Sequence, residues 1–162
     1  KERNLIMNIV PTNISYNSNL LKQNIISLHK LYPFIQVTNI GNSVLSNNIF
    51  AIKLGKGKRK VFYSGSFHAN EWITSVLLMH FIEEYCRSYI ANSSILGYSI
   101  TKLFESTSIY IVPMVNPDGV DLVTGYIPKD SSQYKQAKKI ATNFANISFP
   151  SRLEIKYNSA LI

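Results

Sequence analysis

The chain has 162 residues, 46% of them hydrophobic, 12% aromatic and 16% charged, a composition that excludes disorder and fits one globular domain. A single cysteine, Cys86, excludes an internal disulfide framework, and the longest apolar stretch is broken by His80, Glu83 and Glu84, short of the roughly 20 residues a bilayer span needs. Lys plus Arg number 17 against 9 Asp plus Glu, a net charge of +8, yet the cations fall in separate places without interleaved aromatics, which disfavours a nucleic-acid partner.

The opening Lys1-Glu2-Arg3-Asn4 runs into only a short apolar patch, Leu5-Ile6-Met7, so the chain is expected to lack a signal-peptide core. From Asn17 to Tyr32, apolar residues at Leu20, Leu21, Ile25, Leu28 and Leu31 follow helical spacing, and Pro33 closes the segment. Phe34 to Ile40 reads as a strand, Gly41-Asn42-Ser43 as a turn, and Asn48 to Leu54 as a second strand. Gly55-Lys56-Gly57-Lys58 reads as a tight turn whose two glycines supply positive φ. It lacks the spacing and terminal Ser/Thr of a phosphate loop. The strand Val61 to Phe67 follows and ends at His68.

Glu71 to Ile90 is helical, with one apolar stripe at Ile73, Leu77, Phe81, Tyr85 and Tyr89 and another at Val76, Met79, Ile82 and Cys86. Two stripes predict a mostly buried helix, with Glu83 and Glu84 as its solvated face and Cys86 as an inert core thiol. A short helix over Ile100 to Glu105 leads to the apolar run Ser108 to Val115, which reads as a central parallel strand covered on both faces. Asn116-Pro117-Asp118-Gly119 carries the preferences of a type I turn. A polar helix from Ser131 to about Phe144 closes the interpretable part. Strand, buried helix and apolar strand in succession predict an α/β sandwich.

Ligands of open α/β sheets bind at the carboxyl ends of strands, which is where His68 falls. His68 and Glu71, three residues apart across a strand-to-helix junction, can turn an imidazole nitrogen and a carboxylate toward one point, as zinc requires. The spacing alone equally suits a Glu71 that merely favours the positive end of a helix. His80, nine residues after Glu71, lies about 13 Å further along the helix, too far to share a metal. His29 reads as a surface or partly buried imidazole, and Glu105 as an exposed carboxylate without a catalytic role.

Gly65-Ser66-Phe67-His68-Ala69-Asn70-Glu71-Trp72, followed by Ile111-Val112-Pro113-Met114-Val115-Asn116-Pro117-Asp118-Gly119, closely resembles the zinc carboxypeptidases of the M14 (carboxypeptidase A-like) family. Within it, the chain up to about Pro150 is most similar to bacterial γ-D-glutamyl-diamino-acid peptidases, which cut peptidoglycan stem peptides. The resemblance implies a three-layer α/β/α sandwich around a mixed sheet, one catalytic Zn2+, and amide cleavage by metal-activated water. It places His68 and Glu71 on the family's first two zinc ligands and Asn116 to Gly119 on a turn beside the cleft.

The family's third ligand, a His, its general-base Glu, its substrate-positioning Tyr and its arginines lie downstream of that turn. No catalytic residue is therefore assigned in this chain. Where the family has a Trp-Lys segment and an Arg-Gly-Val-Asp-Leu-Asn stretch, residues 151–162 read Ser-Arg-Leu-Glu-Ile-Lys-Tyr-Asn-Ser-Ala-Leu-Ile. The expected organisation is thus an incomplete fold: residues 1–150 as the first half of a peptidase domain, and 151–162 as a divergent tail of a truncated or frameshifted product. Such a chain is expected to be inactive alone, to face a cell-wall peptide as substrate, and to associate through an uncovered sheet edge. The resemblance points to a bacterial protein, in the cytoplasm or at the spore or cell envelope. Two further readings stay open: a degenerate domain that binds cell-wall peptide without turnover, and a basic nucleic-acid binder.

Overall fold

The structure, a computed structural model, describes residues 8–144. The division at Pro150 and the tail 151–162 lie outside the described residues. Helix α1 spans Ser18–Leu31; Asn17 caps it by accepting the Leu20 N–H, and Leu21, Ile25 and Leu28 are buried at helical spacing. Strand β1 (Gln36–Asn42) and strand β2 (Asn48–Leu54) form an antiparallel hairpin. The strand expected to stop at Ile40 continues through Gly41, because a bulge between Asn39 and Gly41 absorbs the irregularity and moves the turn to residues 43–47.

Strand β3 is Arg59–Ser64, shorter than the sequence suggests, because Ser66 turns into the left-handed region at φ 52° and ends the extended run. The two glycines before β3 act differently from one another. Gly55 has φ 79°, whereas Gly57 is needed because a Cβ there would collide with the Ser106 and Thr107 backbone. A single 3-10 turn, Ala69–Glu71, then precedes helix α2, Trp72–Ile90. Two short strands unforeseen from the sequence, β4 (Ser94–Ile95) and β5 (Tyr98–Ser99), form a hairpin around Leu96 and Gly97, both at positive φ. Helix α3 (Ile100–Ser106) leads into β6 (Thr107–Val112), followed by helices α4 (Pro117–Val123) and α5 (Ser132–Phe144).

The four long strands form one mixed sheet in the order β1-β2-β6-β3. β6 is central, as its apolar run implies, but parallel only to β3; against β2 it runs antiparallel. The core gathers Leu28, Ile52, Leu54, Met79, Ile82, Ile111 and Met114, each 2% exposed or less. Of the two stripes on α2, the one at Val76, Met79, Ile82 and Cys86 is buried, while the other begins with Ile73 and Leu77 at 51% and 68% exposure. Burial holds the Cys86 thiol up at about 12, so it is un-ionised and inert at neutral pH, as the stripe suggested.

Two carboxylates do work the sequence did not reveal. Glu83, read as solvated, is 2% exposed: its two oxygens accept the Ile9 and Val10 N–H groups at 2.9 and 3.0 Å, and Arg87 pairs with it at 3.0 Å. Helix periodicity cannot foretell a partner more than seventy positions away. Asp121 on α4, 1% exposed, accepts from the Ser18 N–H and hydroxyl, while Asp118 accepts from Ser43, Leu45 and Asn47 in the β1–β2 turn. Burial raises the Asp121 carboxyl above the usual carboxylate range, and the two Ser18 hydrogen bonds oppose that rise.

Glu83→Ala should destabilise the chain by about 3 kcal/mol, since it strands two buried N–H groups and leaves Arg87 without its buried partner. A urea titration followed by circular dichroism reads this as a lower midpoint, and an unchanged midpoint would contradict the role given to Glu83.

Candidate functional site

The hydrogen-bond ladder between β3 and β6 does not stop where the strands do. The Gly65 N–H donates to Val112 O, the Val115 N–H to Gly65 O and the Asn116 N–H to Ser66 O, each at 3.0 Å. The two strand ends thus stay side by side for two residues more, and the carboxyl ends of such strands are where ligands of open α/β sheets bind. Gly65 sits at the crossing. A Cβ there would lie 2.9 Å from Pro113 O and 3.0 Å from both Leu78 Cδ1 and Thr74 Oγ1, so only glycine lets the three elements approach this closely.

Beyond Gly65 the chain bends through Ser66, 1% exposed, and passes Phe67 and His68 into the 3-10 turn. The Ser66 N–H donates to Thr74 Oγ1 at 2.8 Å, and the Thr74 hydroxyl donates to the Glu71 carbonyl at 2.7 Å. Ser66 Oγ reaches the same carbonyl at 3.1 Å and Ser75 Oγ at 2.6 Å, while Ser75 donates to Pro113 O at 2.7 Å. On the facing side Asn116 accepts the Gly119 N–H at 3.0 Å and donates to the Phe67 carbonyl at 3.3 Å. The segment expected as a type I turn is therefore the first turn of α4, capped by Asn116 with Pro117 at its first position. Both structures share the same backbone angles at their start, which is why one set of residues suits either.

His68 and Glu71 stand at the two ends of the single 3-10 turn, with the Glu71 N–H donating to His68 O at 3.0 Å. Each occupies a helix-capping position, and neither side chain makes a capping hydrogen bond. His68 is exposed and Glu71 half-buried, and neither the imidazole nor the carboxylate has a hydrogen bond or ion pair among the described residues. The donor set is therefore one nitrogen and one carboxylate with uncommitted lone pairs, which fits two of the three protein ligands of a catalytic zinc. Among the described residues no group of three or more His, Cys, Asp or Glu is placed to hold a metal ion.

The remaining candidates lie elsewhere. His80 is half-buried within α2, His29 exposed on α1, and Glu105 exposed and paired with Lys56 at 3.1 Å. A groove of about 330 Å³ is lined by Val61, Tyr63, Phe81, Tyr85 and Ile109 among others, and contains neither His68 nor Glu71. The residues that sequence reading missed are Ser66, Thr74 and Ser75. Hydroxyls at positions 66, 74 and 75 carry no periodic signal, and only the bend at Ser66 brings them together.

Comparison with known proteins gives the arrangement its context. The profile of the zinc carboxypeptidase family, Peptidase_M14, matches residues 21–151. The chain is 39% identical over 135 residues to the γ-D-glutamyl-L-diamino acid endopeptidase 1 of Lysinibacillus sphaericus, covering 83% of this chain and 34% of that protein. It is 44% identical over 110 residues to the uncharacterized protein YqgT of Bacillus subtilis, covering 67% and 29%. The chain thus spans about a third of the length of these relatives. Among solved structures, thrombin-activatable fibrinolysis inhibitor superposes with a TM-score of 0.62 at 21% identity, over 74% of this chain and 31% of that one. The bovine form in complex with tick carboxypeptidase inhibitor gives 0.57 at 23%, over 70% and 34%, a likeness of fold.

Proposed function

Because this chain belongs to the zinc carboxypeptidase family, a family of metallopeptidases, we propose that it is the ligand-bearing first part of a peptidase that hydrolyses amide bonds in peptidoglycan stem peptides. The observation that carries the reading is the pair of uncommitted donors, His68 and Glu71, at the ends of one turn beyond β3. The relative named as a γ-D-glutamyl-L-diamino acid endopeptidase supports the substrate class. When bound, zinc acidifies a water molecule and polarises the scissile carbonyl. The chain's own contribution is to present one imidazole and one carboxylate from a short turn beyond the carboxyl end of β3. No general base, third ligand or oxyanion partner is assigned to the described residues, and we propose that the 162-residue chain does not turn over peptide alone. Retention of cell-wall peptide without turnover is the reading that follows if the rest of the machinery is never joined to it.

A partner surface accompanies this reading. Among the described residues β3 pairs only with β6, and Phe62 on β3, Phe67 just beyond it, and Ile73 and Leu77 on α2 are more than half exposed. An unpaired strand flanked by apolar side chains favours self-association. The cations Lys58, Arg59 and Lys60 at the start of that strand are exposed, a common device for slowing such pairing.

Zinc uptake should be weak, since two protein ligands leave two positions to water, and it should be lost in His68→Ala. Isothermal titration of both proteins measures this, and equal uptake would remove His68 from the site. The chain should show no turnover of either α-linked or γ-D-glutamyl stem peptides in a chromatographic assay, because the groups that lower the barrier are not assembled. Turnover abolished by chelator and by Glu71→Gln would show the machinery to be complete. Light scattering should give a mass that rises with concentration; a constant monomer mass would mean that the β3 edge is not adhesive.

A further inference from the structure

The hydroxyl network around Ser66 lies among buried groups, with Ser66 at 1% and Ser75 at 0% exposure. Its endpoints are informative. One branch runs from the Ser66 N–H to Thr74 Oγ1 and on to the Glu71 carbonyl, fixing the residue that carries the carboxylate. A second runs from Ser66 Oγ to Ser75 Oγ and Pro113 O, tying the bend to the segment just past β6. A third, the Asn116 amide, holds the Phe67 carbonyl, the residue before the imidazole. Between these anchors lies His68-Ala69-Asn70, whose turn is closed by the Glu71 N–H on His68 O.

Ser66 adopts φ 52°, a conformation that costs a non-glycine residue free energy and persists where its surroundings over-determine it. Here the surroundings are two hydrogen bonds from its own backbone, one to Thr74 and one from Asn116, together with its hydroxyl contacts. We propose that Ser66, Thr74 and Asn116 are positioning residues for the His68–Glu71 pair, setting the separation of imidazole and carboxylate through the backbone rather than by touching the metal. The proposal rests on the metal reading above. It assigns to main-chain carbonyl anchors the orienting task that in many metal sites falls to groups hydrogen-bonded to the ligands themselves.

Two substitutions isolate the effect. Thr74→Val preserves shape and removes the hydroxyl that holds the Glu71 carbonyl, whereas Thr74→Ser keeps it. Asn116→Asp keeps the oxygen that caps α4 and loses the amide that holds the Phe67 carbonyl. Zinc affinity of the full 162-residue chain, measured by titration, should fall about 10- to 100-fold in Thr74→Val and in Asn116→Asp and return in Thr74→Ser, with thermal unfolding recorded on each. Unaltered affinity in both weakened variants, with His68→Ala unable to bind, would overturn the positioning role and leave the metal pair standing. Equal loss in Thr74→Ser and Thr74→Val would likewise overturn it, because the hydroxyl would then be irrelevant. A wild-type chain that takes up no more zinc than His68→Ala would overturn the metal reading, and this role with it. Should Thr74→Val fail to fold, Asn116→Asp decides the question by itself.

Discussion

The parallel pairing of β3 with β6 is the constraint on which the candidate site depends. Because the ladder continues through Gly65 and Ser66 to Val115 and Asn116, two segments that lie fifty residues apart in sequence leave the sheet at the same place. Glycine at position 65 permits that close approach, and the collision a Cβ would make with Pro113, Leu78 and Thr74 shows how little space remains. The bend at Ser66 and the start of α4 are consequences. Once the strands separate, one chain must turn back into α2 and the other into α4, and the donors His68 and Glu71 are carried on the first of these turns.

Polar groups, rather than added apolar area, attach the periphery to this frame. Glu83 ties the segment at Ile9 and Val10 to α2, Asp121 ties the start of α1 to α4, and Asp118 ties the β1–β2 turn to the same helix. Glu83 and Asp121, both buried, accept from buried or half-buried backbone and hydroxyl donors, and that satisfaction makes their burial tolerable. The raised carboxyl of Asp121 records the remaining cost. Its ionisation is disfavoured by the fold, so its contribution to stability is fullest below the ordinary carboxylate range and declines as pH rises through the raised value.

The distribution of apolar surface is uneven. On the β1–β2–β6 side, Ile52, Leu54 and Ile111 are sealed. Phe62 on β3, Phe67 just beyond it, and Ile73 and Leu77 on α2 stand open.

By itself the sequence determined the elements whose signal is local. α1, β2, α3 and α5 fall within a residue or so of the expected bounds, since helical spacing, caps and a short apolar run are written in adjacent residues. A central β6 was legible from its apolar run, and the mixed sheet only from the family resemblance carried by two motifs in order. What the tertiary structure alone decided was everything that depends on distant partners. The burial of Glu83, the outward face of Ile73 and Leu77, the antiparallel side of β6, the helix in place of a turn at Pro117, and the Ser66–Thr74–Ser75 network all belong to this class. Periodicity records which face of an element is apolar, but which apolar face is covered, and which carboxylate finds an N–H, is settled only when segments far apart in the chain are packed together.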